Sequence, residues 1–253
     1  MEKIKTNLDF IRKDIVQDDK DYIMCVEGYE GVGKTTLALH ICKYIDPTFN
    51  VDRIIFNLDD FKMQIKTSKK GNAILIDEGA LVMFSRDAMK GEVKELIRLF
   101  TAIRQYNLFI CICVPRFNII DRYIREHRVK GLLRVTKRGR FAAYNKQMID
   151  KIHKDKWSSK IIYPRTIFKE SFGKFNDMEL WTAYIKKKGM VLDESNEVYY
   201  TAPQIAKKLN VSNQTIYNYM DRGELEYILK DNGTKKISHI ALLAFKRKKK
   251  LKL

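Results

Sequence analysis

Four short apolar runs mark the first half of the chain: Tyr22–Glu27, Arg53–Phe56, Ala73–Ile76 and Leu108–Val114. They are nearly unbroken rather than alternating, the pattern of strands buried on both faces of a parallel sheet. Between them the period lengthens to that of helices. Thr36–Tyr44 follows the first run. Ahead of the fourth, Val93, Leu96, Ile97, Phe100 and Ile103 recur at helical spacing, with Glu92, Glu95, Arg98 and Arg104 largely on the opposite side. Strands alternating with helices predict an α/β layered fold with a mainly parallel sheet.

Beyond residue 120 the texture changes. Asp121–Lys130 predicts a charged helix, and Leu132–Tyr144 a strand pair turning at Arg138-Gly139. The expected organisation is an N-terminal helical segment (1–20), an α/β domain (21–150), a connector with a helix near Met178–Lys188 (151–196), a small second domain (197–245) and a basic tail (246–253).

The first run leads straight into Gly28-Tyr29-Glu30-Gly31-Val32-Gly33-Lys34-Thr35, which fits GxxxxGK[ST] between a strand and a helix. In that setting backbone N–H groups point at a phosphate chain, and the helix N-terminus favours its negative charge. The motif predicts an ATP site in which Lys34 bridges the β- and γ-phosphates, Thr35 ligates Mg²⁺ and Thr36 contacts the α-phosphate. The third run ends in Asp77-Glu78. A carboxylate at the C-terminal edge of the sheet suits Mg²⁺ for Asp77, and Glu78 is then the group that orients or deprotonates the attacking water. The plainer reading, in which the pair only caps a following helix, is the alternative. A guanine-reading Asn-Lys-x-Asp is missing, since Asn145-Lys146-Gln147-Met148 lacks the aspartate. A small-molecule kinase, with Arg122, Arg125 and Arg128 as a phosphate-clamping lid, stays in the comparison.

Taken together, Ile74–Ala80, the helix Val93–Arg104 and Gln105–Arg116 resemble the additional-strand, catalytic-glutamate division of P-loop ATPases. Within it they are similar to the FtsK–HerA superfamily, including zonula occludens toxin-like and viral DNA-packaging ATPases. That resemblance implies a polar sensor at the end of the fourth strand. The chain reads Val114-Pro115-Arg116-Phe117-Asn118 there, leaving Asn118 or Arg116 as substitutes. It also implies a homo-oligomeric ring in which a neighbour lends an arginine to the γ-phosphate. Arg104, Arg116, Arg122 and Arg125 are the candidates, each equally suited to a solvated face or to DNA.

Near the C-terminus, Thr201-Ala202-Pro203-Gln204 opens a helix whose inner face is Ile205, Ala206 and Leu209. Asn210-Val211-Ser212 makes a tight turn, with Val211 expected to plug the corner. Asn213–Met220 turns Ile216 and Met220 inward and leaves Asn213, Gln214, Tyr217 and Asn218 for base edges and phosphates. A hairpin wing over 226–238 and a helix His239–Phe245 follow. The unit resembles the winged helix-turn-helix of excisionase and MerR-like proteins, which implies DNA binding; a protein-docking role is the alternative.

Charge sharpens the picture. Residues 1–120 hold 18 basic and 17 acidic side chains, so nearly all of the net +18 lies beyond them. That asymmetry, with Lys246 and Arg247 opening the tail, predicts double-stranded DNA as partner. No apolar run reaches the length of a membrane span, and the polar first twenty residues do not read as a signal peptide, so a cytoplasmic location is expected. Cys25, Cys42, Cys111 and Cys113 form no CxxC pair and point to neither zinc nor a disulfide framework. The expectation is an ATP- and Mg²⁺-dependent ATPase acting as a DNA motor, with an ATP-gated DNA-binding regulator and a kinase as rivals.

Overall fold

A computed structural model describes residues 1–77, 90–154, 161–195, 199–229, 233–238, 241–242 and 245. The chain divides into two compact units, Met1–Lys187 and Lys188–Leu253.

In the first unit, helix α1 (Glu2–Gln17) buries Ile4, Leu8, Ile11 and Ile15 along one stripe. Strand β1 (Tyr22–Glu27) leads into α2 (Lys34–Ile45), then β2 (Ile54–Ile55), α3 (Leu58–Thr67), β3 (Ala73–Ile76), α4 (Lys90–Ala102) and β4 (Phe109–Val114). Strands β5 (Val129–Lys137) and β6 (Arg140–Asn145) form a hairpin; α5 (Lys146–Ile149), β7 (His153–Lys154), β8 (Ile161–Ile162), β9 (Phe168–Ser171) and α6 (Met178–Ser195) complete the series. Seven strands make one sheet in the order β2-β3-β4-β1-β5-β6-β9. The first five in that order run parallel, β6 runs against β5, and β9 runs against β6. Every residue of β3 and β4 is buried, which explains their unbroken apolar sequence. Helix α2 packs on β1, β3 and β4. Ile23, Cys25, Ile74, Ile110 and Ile112 meet Phe61 of α3 and Leu96 and Phe100 of α4 in a separate core.

Three expectations are refined. The helical stretch expected over Asp121–Lys130 spans 122–128, with a π-helical turn at Ile124–Arg128, and stops there because Val129 already begins the buried alternation of β5. Arg53 is not in the strand that its neighbours form: it sits in a 3-10 turn and pairs with Asp46. Residues 151–196 hold the expected helix, α6, and more. They add β9 to the sheet edge, where Glu170 accepts the backbone N–H groups of Lys3 (2.9 Å) and Ile4 (3.0 Å) at the start of α1.

In the second unit, β10 (Tyr199–Tyr200), α7 (Ala202–Leu209), α8 (Asn213–Asp221), β11 (Ile228–Leu229) and β12 (Lys235–Ser238) enclose Ala202, Ile205, Ala206, Ile216, Met220, Leu225 and Ile237. Thr201 and Gln204 close a reciprocal capping box, and Ser212 caps α8 through Thr215 N–H at 3.1 Å. Val211 is 39% exposed rather than the corner plug; the turn is made by Asn210, at φ 53°, and the inward residues of the two helices. Strands β11 and β12 pair antiparallel as the expected wing.

Asp46 holds the route from α2 to β3. Its buried carboxylate takes Thr48 N–H (2.9 Å) and hydroxyl (2.6 Å), Asn72 (3.1 Å), the Ala73 backbone N–H (3.0 Å) and the Arg53 guanidinium. Asp46→Ala strands a buried Arg53, so chemical denaturation should show a loss of about 3–5 kcal/mol. A loss below about 1 kcal/mol, the scale of a surface pair, would mean that this network does not hold the region.

Candidate nucleotide site and helix-turn-helix

The end of β1 turns through glycines at positive φ: Gly28 at 157°, Gly31 at 73° and Gly33 at 96°. Gly28 also passes so close to β5 that a Cβ there would lie 2.9 Å from the Val135 carbonyl oxygen. Gly33 begins α2 without a side-chain cap, and no acid stands in the first turn. A helix N-terminus without a side-chain cap, next to a glycine loop, is an arrangement that favours an anion. Lys34 is buried, and its Nζ donates to the Tyr29 carbonyl at 3.0 Å, which places the ammonium inside the curve of the loop. Glu30 and Gly31 are exposed, and Val32, Thr35 and Thr36 are partly so.

Asp77 follows β3 and is fully buried. Thr35 donates its hydroxyl to Asp77 Oδ1 at 3.0 Å, joining the two motifs. Tyr184 of α6 donates to Oδ2 at 2.8 Å, while its ring stacks near Phe56. Two hydroxyls thus orient a carboxylate that would otherwise be costly to bury. A hydroxyl and a carboxylate oxygen side by side are hard donors, the chemistry that Mg²⁺ selects while keeping most of its shell for water and phosphate. Sequence reading missed Tyr184 because no motif marks it, only an aromatic residue in a helical stretch. Glu78 lies outside the described residues.

On the β5 side of the loop, Glu27 is a buried acid at the end of an apolar strand, a signal visible in the sequence. Its carboxylate accepts the Phe117 N–H at 2.8 Å and faces Arg134 Nε at 3.4 Å. Arg134 in turn lies 4.0 Å from the Tyr163 ring centroid. Burial pushes the Glu27 carboxyl above its usual range, against the pull of Tyr163, Phe117 and Arg134. Burial raises the Tyr163 hydroxyl as well. A cavity of about 620 Å³ opens here, lined by Gly28, Tyr29, Arg116, Arg134 and Tyr163.

The candidate arginines separate. Arg116, exposed after β4, lines that cavity beside the loop. Arg104 precedes β4, on the sheet edge opposite its own phosphate loop. Arg122 pairs with Glu126 at 3.0 Å, and Arg125 reaches the Asn118 carbonyl at 3.4 Å and Glu126 at 3.7 Å. Arg128 pairs with Asp21, ahead of β1. Arg122 and Arg125 thus share Glu126, while Arg128 lies at the N-terminal end of β1, away from the phosphate loop. Asn118 is exposed.

In the second unit, Asn213, Gln214, Tyr217 and Asn218 all lie exposed on α8, with Gln214 Nε2 donating to Asn218 Oδ1 at 3.2 Å. Lys246 and Arg247 lie outside the described residues. No helix among the described residues is long and apolar enough to cross a membrane.

Residues 56–164 match the family profile of zonular occludens toxin (Zot), and residues 199–250 that of a helix-turn-helix domain. The first match begins beyond the phosphate loop and takes in Asp77, β4 and the β5–β6 hairpin. A solved structure of the Thermotoga maritima RuvB Holliday junction branch migration motor aligns over 100% of this chain and 95% of its own, at 11% identity and a TM-score of 0.34. No curated protein matches. The chain therefore joins a P-loop α/β unit, similar over its middle part to zonular occludens toxin, to a C-terminal excisionase-like helix-turn-helix.

Proposed function

We propose that this protein hydrolyses ATP with Mg²⁺ to move or remodel duplex DNA, as in packaging or translocation, and that it works as a homo-oligomer. The observation that carries the chemistry is the Thr35–Asp77 hydrogen bond beneath an uncapped helix N-terminus, with Lys34 inside the same loop. On nucleotide binding, Lys34 exchanges the Tyr29 carbonyl for β- and γ-phosphate oxygens, and the first-turn N–H groups of α2 satisfy the same charge. Thr35 and Asp77 would hold Mg²⁺, whose role is to neutralise charge developing on the phosphates. Tyr184 keeps the Asp77 carboxylate aimed. Glu78, directly after Asp77, orients the attacking water. Arg104, on the far edge of its own sheet, suits a neighbouring copy's γ-phosphate, and Arg116 suits its own. The exposed polar face of α8 and the basic second half supply the DNA contacts.

Three outcomes test this reading. Lys34→Ala should abolish productive ATP binding, and Glu78→Gln should retain ATP yet hydrolyse it about 100-fold more slowly in single-turnover assays; wild-type turnover by Glu78→Gln would remove Glu78 from the mechanism. Tyr184→Phe keeps the ring and loses only the hydroxyl, so the Mg²⁺ concentration for half-maximal turnover should rise several-fold, about 1 kcal/mol of lost hydrogen bonding. An unchanged Mg²⁺ requirement would make Tyr184 a packing residue. For DNA, removing residues 197–253 should cost most duplex affinity and flatten its salt dependence while sparing ATP binding. Equal affinity of the full and shortened chains would reassign the second unit to protein docking.

A further inference from the structure

After β9 the chain turns at Phe172-Gly173 across the start of α2. Phe172 N–H donates to the Gly139 carbonyl at 2.8 Å, tying it to the β5–β6 turn. The Phe141 ring lies 6.2 Å away, centroid to centroid. On the other side, His40 of α2 is hydrogen bonded to the Gly173 carbonyl at 3.3 Å and meets Phe175 edge-on at 5.1 Å. These contacts hold the partly exposed Phe172 ring against the phosphate loop itself. A Cβ built on Gly33 would lie 3.5 Å from the ring's Cε2 and Cζ atoms and 4.0 Å from Thr36 Oγ1.

That position is informative because the loop has two ends. Thr35 and Asp77 mark the end that takes the metal and the terminal phosphates. Thr36 marks the α-phosphate end, where the nucleoside must leave the loop. Phe172 stands on that exit, uncharged, rigid in its anchoring and partly open. A nucleobase presents a flat π-face of matching size, and stacking on an aromatic ring tolerates any base.

We propose that Phe172 is the platform on which the base of the bound nucleotide stacks, a subsite supplied by the segment between β9 and α6. The proposal rests on reading the loop as a nucleotide site, so its test separates base from phosphates. The full chain is titrated calorimetrically with MgATP and with inorganic tripolyphosphate, as wild type, Phe172→Leu and Phe172→Tyr. Leucine keeps the apolar contact with Gly33 but removes the aromatic face, whereas tyrosine retains both. Phe172→Leu should bind MgATP about ten-fold more weakly and tripolyphosphate within about two-fold of wild type, and Phe172→Tyr should match wild type for both within about two-fold. An equal loss for both ligands in Phe172→Leu would make Phe172 a support for the loop and overturn the proposal, as would unchanged MgATP affinity. A wild type that binds neither ligand would overturn the nucleotide reading itself, a result distinct from either.

Discussion

The hydrogen bond from Thr35 to Asp77 joins residues 42 positions apart, and the architecture of the first unit is arranged so that it can form. The strands that deliver them, β1 and β3, are not neighbours; β4 lies between and pairs with both. Tyr22 and Ala73 both stand opposite Phe109, so β4 acts as the ruler that brings the two C-terminal ends level. A slip of one residue in either pairing would turn an entire strand face over and move Asp77 out of reach. The strand between β1 and β3 comes from Leu108–Val114, whereas Ile54–Ile55, the run lying between the two motifs in sequence, forms the sheet edge.

The segment after β9 acts as a strap over this assembly. Phe172 meets Gly33, Asp177 pairs with Lys43 of α2 at 3.3 Å, Tyr184 bonds Asp77, and Lys187 donates to the carbonyls of Val51 (3.2 Å) and Ile54 (2.7 Å). Desolvation holds the Lys187 ammonium below its usual pKa range, the mark of a cation drawn into the protein to satisfy backbone carbonyls. Helix α6 then carries the chain from Lys187 into the second unit. The helix that touches the proposed metal ligand is thus also the covalent path to the helix-turn-helix.

What could be read from residues alone follows from how local the cause is. The phosphate loop is legible because glycine spacing, the preceding strand and the following helix are all contiguous. Strands β1, β3 and β4 are legible because burial on both faces leaves an unbroken apolar run. The helix-turn-helix is legible because Thr201, Ser212 and the inward Ile205, Ile216 and Met220 encode caps and faces at short range. Tyr184, Phe172 and the Arg134 and Tyr163 partners of Glu27 were not legible, since each acquires its role only when distant segments meet; Glu27 alone, an acid closing an apolar strand, left a local signal. The charged stretch after Asp121 is helical as its spacing implies, but it ends at Arg128 because the sheet claims Val129 and Leu132 for β5.

In the proposed function the second half's charge and the α8 surface serve a polyanion and the first unit serves nucleotide hydrolysis; a motor requires that the two be coupled. Steady-state ATP turnover by the full chain, measured with and without duplex DNA at low salt, addresses that coupling directly. The account predicts Mg²⁺-dependent turnover that rises several-fold with DNA and vanishes in Lys34→Ala, since both the loop and the basic unit must act together. Turnover that is slow and indifferent to DNA would contradict the motor and leave a nucleotide-gated binding protein in its place.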